Sequence, residues 1–286
     1  MTNKDLHKTI AKQVRATGTS FYWPMHLQQR KYRQALFTIY MYCRVLDDVA
    51  DVPDQRDAKI RKLSHWRDEI DCLFSGTLGT GPTGSPLIPA LLETIRQFKL
   101  PKAPFVAVIE GMEADVNGPI IAPDWKSLRI YCHQVAGSVG NLCLAVWGWR
   151  GEQADLFAES TGQAFQLTNI LRDIKDDAHE GRVYLPREVL ENARINSRQP
   201  VDILRHPNLA DACGPVIDLA DQRFKIARSL WKESSVKTAR PAWVMLELYR
   251  ALFDEVVRTG FGPDRPRARL STARKLQNLI PAYISA

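Results

Sequence analysis

This chain of 286 residues lacks several features that mark other classes of protein. It has no run of about 18 apolar residues, the length that spans a bilayer, and its amino terminus lacks the apolar stretch of a signal peptide. Its five cysteines are odd in number and form no C-x-x-C pair, which argues against a disulfide framework or a structural zinc site. These absences predict a cytoplasmic protein, soluble or peripheral to a membrane.

Acidic residues are in deficit, with 32 aspartates and glutamates against 39 lysines and arginines, for a formal net charge of +7. Such a balance suits nucleic acid, anionic lipid or a polyanionic small substrate. The basic residues are scattered, and no zinc-finger spacing or RNP-type motif occurs. We therefore expect no nucleic-acid partner and interpret the basic residues as a source of solubility and of local phosphate contacts.

The alternation of apolar and polar residues that marks β-strands is also missing, whereas helical periodicity is present along most of the chain. Glycine and proline residues mark the breaks between the periodic segments. We therefore predict an all-α fold that forms one domain, residues 1–286. The predicted helices cover residues 3–16, 26–51, 56–74, 87–98, 102–115, 124–148, 152–178, 207–232, 236–260 and 265–283.

A polar stripe runs along an otherwise apolar segment, residues 36–51. Its members occupy offsets 0, 4, 7 and 11, which share one helix face at 3.6 residues per turn: Tyr40, Arg44, Asp47 and Asp51. Asp48 lies about 100° away from Asp47 around the helix and either supports the stripe from behind or reaches sideways to it. A helix this apolar elsewhere is expected at the centre of the fold.

A second stripe repeats the arrangement within residues 163–178. Its members occupy offsets 0, 3, 7 and 11: Gln166, Asn169, Asp173 and Asp177. Arg172 stands next to Asp173, much as Arg44 stands three residues before the first aspartate of the other stripe. The two segments therefore predict a pair of D-x-x-x-D helices with similar chemistry.

Buried carboxylates need compensation, because an unpaired buried charge costs several kcal/mol. Aspartates at positions i and i+4 lie about 5–6 Å apart, close enough to flank a divalent cation. Mg²⁺ binds one or two carboxylates and completes its octahedron with water and phosphate oxygens. The alternative is a structural ion-pair network with Arg44 and Arg172. A di-iron bundle would need repeated E-x-x-H pairs, and the chain offers only Asp176 with His179.

The segments YCRVLDDVAD and QLTNILRDIKDDAHEGRVYLPRE together resemble the paired signature of the squalene and phytoene synthase family, whose members join prenyl diphosphates head to head. The similarity runs from about Thr19 to Tyr249 and is strongest to the bacterial members that make presqualene diphosphate for hopanoids. The resemblance implies an isoprenoid-synthase-type helical bundle with a central cavity, in which the two aspartate motifs lie on facing helices.

Residue roles follow from the same resemblance, position by position. The implied metal ligands are Asp47, Asp48, Asp51, Asn169, Asp173 and Asp177. The implied contacts to the substrate's diphosphate are Arg44, Arg172, Ser20, Tyr22 and Tyr184. Gly18 and Tyr22 flank Ser20 where some relatives carry two serines, which weakens the role of that residue. The implied reaction centre contains Tyr40, Tyr131, Gln166 and Tyr249, and Phe21 is an aromatic contact of the substrate.

The implied reaction condenses two molecules of farnesyl diphosphate to presqualene diphosphate, with Mg²⁺ as the cofactor and Mn²⁺ as an acceptable substitute. The proton acceptor is either a tyrosine or the released diphosphate. Phytoene, dehydrosqualene or squalene are the alternative products, and a metal-binding helical scaffold is the alternative outside enzymes. NADPH is not expected, because the G-x-G-x-x-G letters at residues 79–84 follow a helical stretch and include Pro82.

Two further segments have two interpretations each. Ala136, Gly137 and Gly140 predict either close helix packing or a tunnel for a prenyl tail, with apolar lining from Phe21, Phe37, Val135, Leu142 and Leu144. The last predicted helix places apolar residues beside basic ones: Leu276, Leu279, Ile280, Tyr283 and Ile284 beside Arg267, Arg269, Arg274 and Lys275. This pattern favours packing on the bundle and is also compatible with peripheral contact to a membrane.

Overall fold

The computed structural model describes residues 3–19, 21–76, 85–271 and 274. Thirteen α-helices lie within these ranges: α1 (Asn3–Ala16), α2 (Tyr22–His26), α3 (Arg30–Asp51), α4 (Arg56–Ser75), α5 (Leu87–Phe98), α6 (Ala103–Val116), α7 (Trp125–Cys132), α8 (Ser138–Val146), α9 (Glu152–His179), α10 (Arg187–Asn192), α11 (Pro200–Arg205), α12 (Leu209–Glu233) and α13 (Arg240–Thr259). A π-helical turn, His133–Gly137, joins α7 to α8, and a 3₁₀ turn, Lys237–Ala239, precedes α13. The predicted all-α class is confirmed.

Helices α3 and α9 carry the two polar stripes and lie in the interior. Apolar side chains such as Leu36, Ile39 and Leu46 of α3, and Leu167 and Leu171 of α9, are at most 2% exposed. Together with buried side chains from the other helices they form a single apolar cluster. The two stripes are therefore held on rigid elements inside the core rather than on surface loops.

The ends of α3 and α9 have local causes. Helix α3 ends where Val52 turns to an extended conformation, as expected before Pro53, because a proline disfavours helical geometry in the residue that precedes it. Helix α9 begins after Gly151, at φ +93°, and is followed by Gly181, at φ +79°. Both glycines adopt left-handed conformations that cost little without a Cβ.

The predicted helix 124–148 is interrupted by the π-helical turn, which the periodicity did not indicate. This turn packs closely on α9, since a Cβ added to Gly162 would lie 2.4 Å from the backbone nitrogen of Gly137. A Cβ on Gly140 would lie 3.3 Å from the Cβ of Ala158. The packing interpretation therefore accounts for Gly137 and Gly140.

The predicted helix 265–283 is wrong at its start. Residues 266–271 form no helix, because Gly260 (φ +76°) and Gly262 (φ +137°) redirect the chain and Pro266 cannot donate a backbone hydrogen bond. The rest of that prediction lies outside the described residues, apart from Arg274, as does the glycine-rich segment 79–84. The short helices α2, α10 and α11 were not predicted. In the described ranges, no helix has both the length and the apolarity required to cross a bilayer.

Candidate active site

The stripe on α3 shares one arginine between two carboxylates. Arg44 lies 3.2 Å from the Asp47 carboxylate and 2.6 Å from that of Asp48. Asp51, one turn further along, has a side chain that is 58% exposed. Asp48 thus belongs to the same charged group as Asp47, reached sideways through the guanidinium.

The stripe on α9 is more strongly neutralised at its first aspartate. Arg172 donates two hydrogen bonds to Asp173, from Nε at 2.8 Å and from Nη2 at 2.6 Å. Arg267, from the extended segment after α13, donates a third at 2.7 Å. Two guanidinium groups therefore enclose one carboxylate, a charge-assisted geometry of the strong kind.

Arg182 connects the two stripes. Its Nη1 lies 3.8 Å from Asp51 on α3, and its Nη2 lies 3.6 Å from Asp177 on α9; Glu180 accepts a further hydrogen bond from it. A single side chain reaches both aspartates, so the carboxyl-terminal ends of the two stripes face a common space. This is the geometry that the two motifs predict.

A short backbone pairing positions Arg182. Val183 donates to the carbonyl of Ile120 at 2.8 Å, and its own carbonyl accepts from Ala122 at 2.8 Å, which makes an isolated parallel bridge. Extended backbone sends alternate side chains to opposite sides. Val183 is buried, while Arg182 and Tyr184 both reach the acidic groups.

Tyr184 and Tyr131 hold a third acidic group, Asp115 of α6. The two hydroxyls donate to its carboxylate at 3.2 and 3.1 Å, and their rings stack with centroids 5.3 Å apart. Burial raises the pKa of Asp115 to about 6, against the opposing effect of these hydrogen bonds. The predicted site residues Tyr131 and Tyr184 therefore act together with a carboxylate that the sequence interpretation did not include.

The aspartates differ in pKa although their sequence pattern is the same. Burial and then neighbouring Asp51 raise the pKa of Asp47 to about 6. Burial raises the pKa of Asp177 to about 7, and the pull of Arg182 in the opposite direction is not enough to offset it. For Asp173, burial also acts upward, yet hydrogen bonds from Arg172 and Arg267 bring the pKa below its ordinary value.

Aromatic rings lie beside the α9 stripe. Tyr249 of α13 stacks on Phe165 with centroids 3.9 Å apart and an interplanar angle of 16°, and Phe21 also stacks on Tyr249, with centroids 5.9 Å apart. Tyr249 also lines a cavity of about 610 Å³, whose lining includes Arg172 and Arg267. The volume is within the range of small-molecule sites, and the lining pairs apolar surface with cationic groups.

Other predicted residues have more modest surroundings. The Tyr40 hydroxyl donates to Thr17 at 3.1 Å, and Gln166 is half-buried on α9. Tyr22 stacks on His26 and Phe37, a contact that packs α2 on α3. Ser20 lies outside the described residues. The expected tunnel lining is wrong at Phe37, Leu142 and Leu144, which are at most 3% exposed and belong to the core. Phe21 and Val135 keep part of their surface exposed.

The donor set suits a hard divalent cation. Asn169 lies one turn before Asp173, and its Oδ1 is buried without a hydrogen-bond partner. Burial, followed by the charge of neighbouring Asp51, raises the pKa of Asp47, and burial raises that of Asp177, so a bound cation would stabilise the charged form of both carboxylates. Carboxylate and amide oxygens are Mg²⁺ ligands. Within the described ranges, no three acidic, histidine or cysteine side chains already form a closed metal site, so a cation would need substrate or water oxygens to complete its shell.

Three residues of this site were missed from the sequence: Asp115, Arg182 and Arg267. A signal existed for Arg182, because it lies inside the second motif, directly after the glycine that ends α9. Arg267 had been assigned to a helix, and Asp115 had no partner within its own helix to mark it.

The chain is similar in sequence to known proteins. The squalene/phytoene synthase family model matches residues 14–274. A presqualene diphosphate synthase from Rhodopseudomonas palustris is 33% identical over 270 residues, which are 94% of this chain and 95% of that protein. Another from Sinorhizobium fredii is 35% identical over 260 residues, 91% of each chain.

Solved structures agree on the architecture. A dehydrosqualene synthase in complex with a ligand superposes with a TM-score of 0.83 at 22% identity, covering 99% of this chain and 96% of that one. A squalene synthase from Alicyclobacillus acidocaldarius superposes with a TM-score of 0.75 at 25% identity, covering 90% of this chain and 94% of that one.

Proposed function

The chain belongs to the squalene/phytoene synthase family, and from this premise we propose that it joins two molecules of farnesyl diphosphate head to head. The proposed product is presqualene diphosphate, with release of one diphosphate, as a step toward squalene and hopanoids. The observation that carries the proposal is the single guanidinium of Arg182 within 4 Å of both aspartate stripes, together with relatives named for this product at 33–35% identity.

Arginines would bind and orient the diphosphates. Arg172 and Arg267 line the 610 Å³ cavity, and Arg44 stands at the opposite stripe. A planar guanidinium meets two phosphate oxygens at once and stays charged at any working pH. These cationic groups would stabilise the negative charge that the diphosphate gains as the C–O bond breaks, so the bond ionises more easily.

Mg²⁺ would be held by Asp47, Asp51, Asn169, Asp173 and Asp177, with Asp48 in support, and Mn²⁺ is an acceptable replacement. When bound there, the cation supplies charge neutralisation for the leaving diphosphate. Arg182 lies between Asp51 and Asp177 and offsets part of their negative charge before substrate arrives.

The allylic cation left after ionisation must be kept from water. The stacked rings of Phe21, Tyr249 and Phe165 present aromatic faces that stabilise a carbocation by cation–π attraction. The second substrate's double bond attacks this cation, a proton leaves, and the cyclopropane ring closes. Tyr40, Tyr131 and Gln166 would line the same centre, with Asp115 and Tyr184 fixing the orientation of Tyr131.

We propose that a tyrosine backed by Asp115 is the proton acceptor. The raised pKa of Asp115, about 6, still leaves its carboxylate ionised above neutral pH, and it accepts hydrogen bonds from Tyr131 and Tyr184. As either hydroxyl takes the proton from the substrate, it would release its own proton along the existing hydrogen bond to Asp115. The released diphosphate is the alternative acceptor.

The experiment is product analysis with purified protein, radiolabelled farnesyl diphosphate and Mg²⁺, with and without NADPH. We expect presqualene diphosphate and free diphosphate under both conditions. Squalene formed only with NADPH would contradict the proposed product, and no diphosphate release in either condition would reject the enzyme in favour of a metal-binding scaffold. Geranylgeranyl diphosphate tested alongside separates the phytoene alternative.

We also propose that residues 1–286 work as one domain, because the buried side chains of the described helices form a single apolar cluster.

Farnesyl tails partition into lipid, so a cytoplasmic enzyme of this kind benefits from peripheral contact with a membrane. Sedimentation with liposomes would test that contact, and protein that remains in the supernatant at all lipid concentrations would contradict it.

A further inference from the structure

A second cavity, of about 300 Å³, lies between α7, α9 and α12. Its lining includes apolar side chains such as Leu128, Leu167 and Leu219, together with the indole of Trp125. Gln163 and Leu167 face it from α9, about 100° around the helix from the stripe of Asn169 and Asp173. The cavity is therefore separate from the active site.

Two arginines, Arg129 and Arg223, line this cavity. Among the described residues, neither Arg129 nor Arg223 takes part in an ion pair, and the buried Nε of Arg223 has no hydrogen-bond partner. The charge of Arg223 helps to lower the pKa of Glu159, but the oxygens of that carboxylate already accept hydrogen bonds from His133 and Gln163.

The partly buried guanidinium of Arg223 leaves its Nε donor unpaired, a cost in free energy that an anionic ligand would recover. The fork of an arginine fits phosphate oxygens in pairs. At roughly 30 Å³ per water molecule, the cavity has the volume of about ten waters, which fits a phosphate with a short apolar or aromatic group and excludes a full farnesyl chain. The indole of Trp125 offers a stacking surface for such a group.

We propose that this cavity, defined by Trp125, Arg129, Gln163 and Arg223, is a binding site for a small phosphate monoester. It is independent of the reaction proposed above. The phosphate would accept hydrogen bonds from both guanidinium groups, and the apolar part would pack on Trp125 and the lining leucines.

The test uses phenyl phosphate as the probe and the ¹⁵N-labelled indole resonances of the full chain, which has seven tryptophans. Trp125 is assigned from the resonance lost in Trp125→Phe. With EDTA present to suppress metal-dependent binding, phenyl phosphate should shift the Trp125 resonance saturably. Benzyl alcohol, which has the ring without the charge, should leave it in place at the same concentrations.

Arg129→Gln and Arg223→Gln should each weaken this binding about tenfold, the effect of losing one charge-assisted hydrogen bond. Arg129 is exposed, so its variant tests the site without risk to folding, and Arg205→Gln, exposed on α11, is the matched control and should bind as wild type. The proposal is overturned if Trp125 does not shift, or if both cavity variants bind as tightly as the control.

Two further arms identify the source of the phosphate. Trp23 lines the 610 Å³ cavity, so a probe that shifts Trp23 and not Trp125 occupies the active site, which would overturn the proposal. Vesicles containing phosphatidic acid should not shift Trp125, because a bilayer headgroup cannot enter a recess of this size with its acyl chains. A shift from vesicles but not from phenyl phosphate would replace the small ligand by a lipid surface.

Discussion

Two corners of the site have the same residue types and opposite electrostatics. The neutralised corner consists of Asp173 with Arg172 and Arg267, three hydrogen bonds on one carboxylate. The acidic corner consists of Asp51 and Asp177, which share Arg182 at 3.8 and 3.6 Å. A D-x-x-x-D pattern therefore places aspartates on one face but leaves open which of them is compensated. That depends on which arginines reach each carboxylate, and one of them, Arg267, lies 94 residues away from Asp173 in the sequence.

This difference suggests a division of work. The acidic corner holds more negative charge than its arginine offsets, which favours a cation. The neutralised corner holds its arginines in place, oriented toward the cavity where a diphosphate would enter. Binding of substrate would draw Arg172 and Arg267 partly from carboxylate to phosphate, an exchange between ligands of the same charge sign.

The largest expected effect is a loss of turnover when one aspartate of either stripe is replaced. Asp47→Asn and Asp173→Asn should each lower turnover at least about 1000-fold. Each removes a carboxylate that would hold the cation, and the cation is needed to neutralise the leaving diphosphate. Circular dichroism should remain that of the wild type. The control is Asp68→Asn, an exposed aspartate on α4, which should keep full activity; wild-type turnover in both stripe variants would remove the metal assignment.

Arg182→Gln should lower kcat/KM by about 100-fold, the scale for loss of one preorganised charged donor. Arg182→Lys should recover part of this loss, because it restores the charge without the planar fork. Steady-state kinetics with farnesyl diphosphate measure both variants. If Arg182→Gln equals the wild type, the residue does not connect the two stripes in the working enzyme.

Replacing each of the two aspartates of α9 by asparagine should change the free energy of unfolding in opposite directions. In EDTA at pH 8, Asp173→Asn should lower the free energy of unfolding by about 2 kcal/mol, since it leaves two arginines unpaired. Asp177→Asn should raise it by about 2 kcal/mol, because it removes a carboxylate whose charged form burial disfavours. Urea unfolding monitored by circular dichroism compares them, and equal effects of the same sign would contradict the distinction between the corners.

The pH dependence should sharpen the same contrast. The pKa of Asp177 is about 7 in the folded protein and near its ordinary value when unfolded. The folded state therefore binds more protons between about pH 4 and pH 7, and stability falls as pH rises through that window. The advantage of Asp177→Asn over wild type should thus shrink as pH falls toward 4. An advantage of Asp177→Asn that does not change with pH would contradict the raised pKa of Asp177. For Asp173, whose pKa is lowered, stability is instead lost in acid, below the ordinary pKa of an aspartate.

Much of the architecture could be predicted from local patterns. The periodicity of residues 36–51 and 163–178 located α3 and α9 and the face of each that carries the aspartates. Their ends coincided with Pro53, Gly151 and Gly181, where backbone chemistry alone decides. These features depend on neighbours within a few residues in sequence.

The missed features depend on distant neighbours. Arg267 reaches Asp173 across 94 residues, and its segment has helix-like spacing that Gly260, Gly262 and Pro266 override. Asp115 becomes part of the site through hydrogen bonds from the hydroxyls of Tyr131 on α7 and of Tyr184, which follows Val183. The π-helical turn forms where Gly137 meets Gly162 on α9, a contact that no single segment indicates.

The central claim is that the two stripes act on one diphosphate–cation assembly, and a double-mutant cycle tests it most directly. Calorimetry would measure Mg²⁺-dependent binding of inorganic diphosphate to the wild type, Asp51→Asn, Asp177→Asn and the double variant. The account predicts that the two losses are coupled by about 1 kcal/mol or more, as for residues with a shared partner. Losses that add within about 0.3 kcal/mol would show that the stripes bind separately and would contradict it.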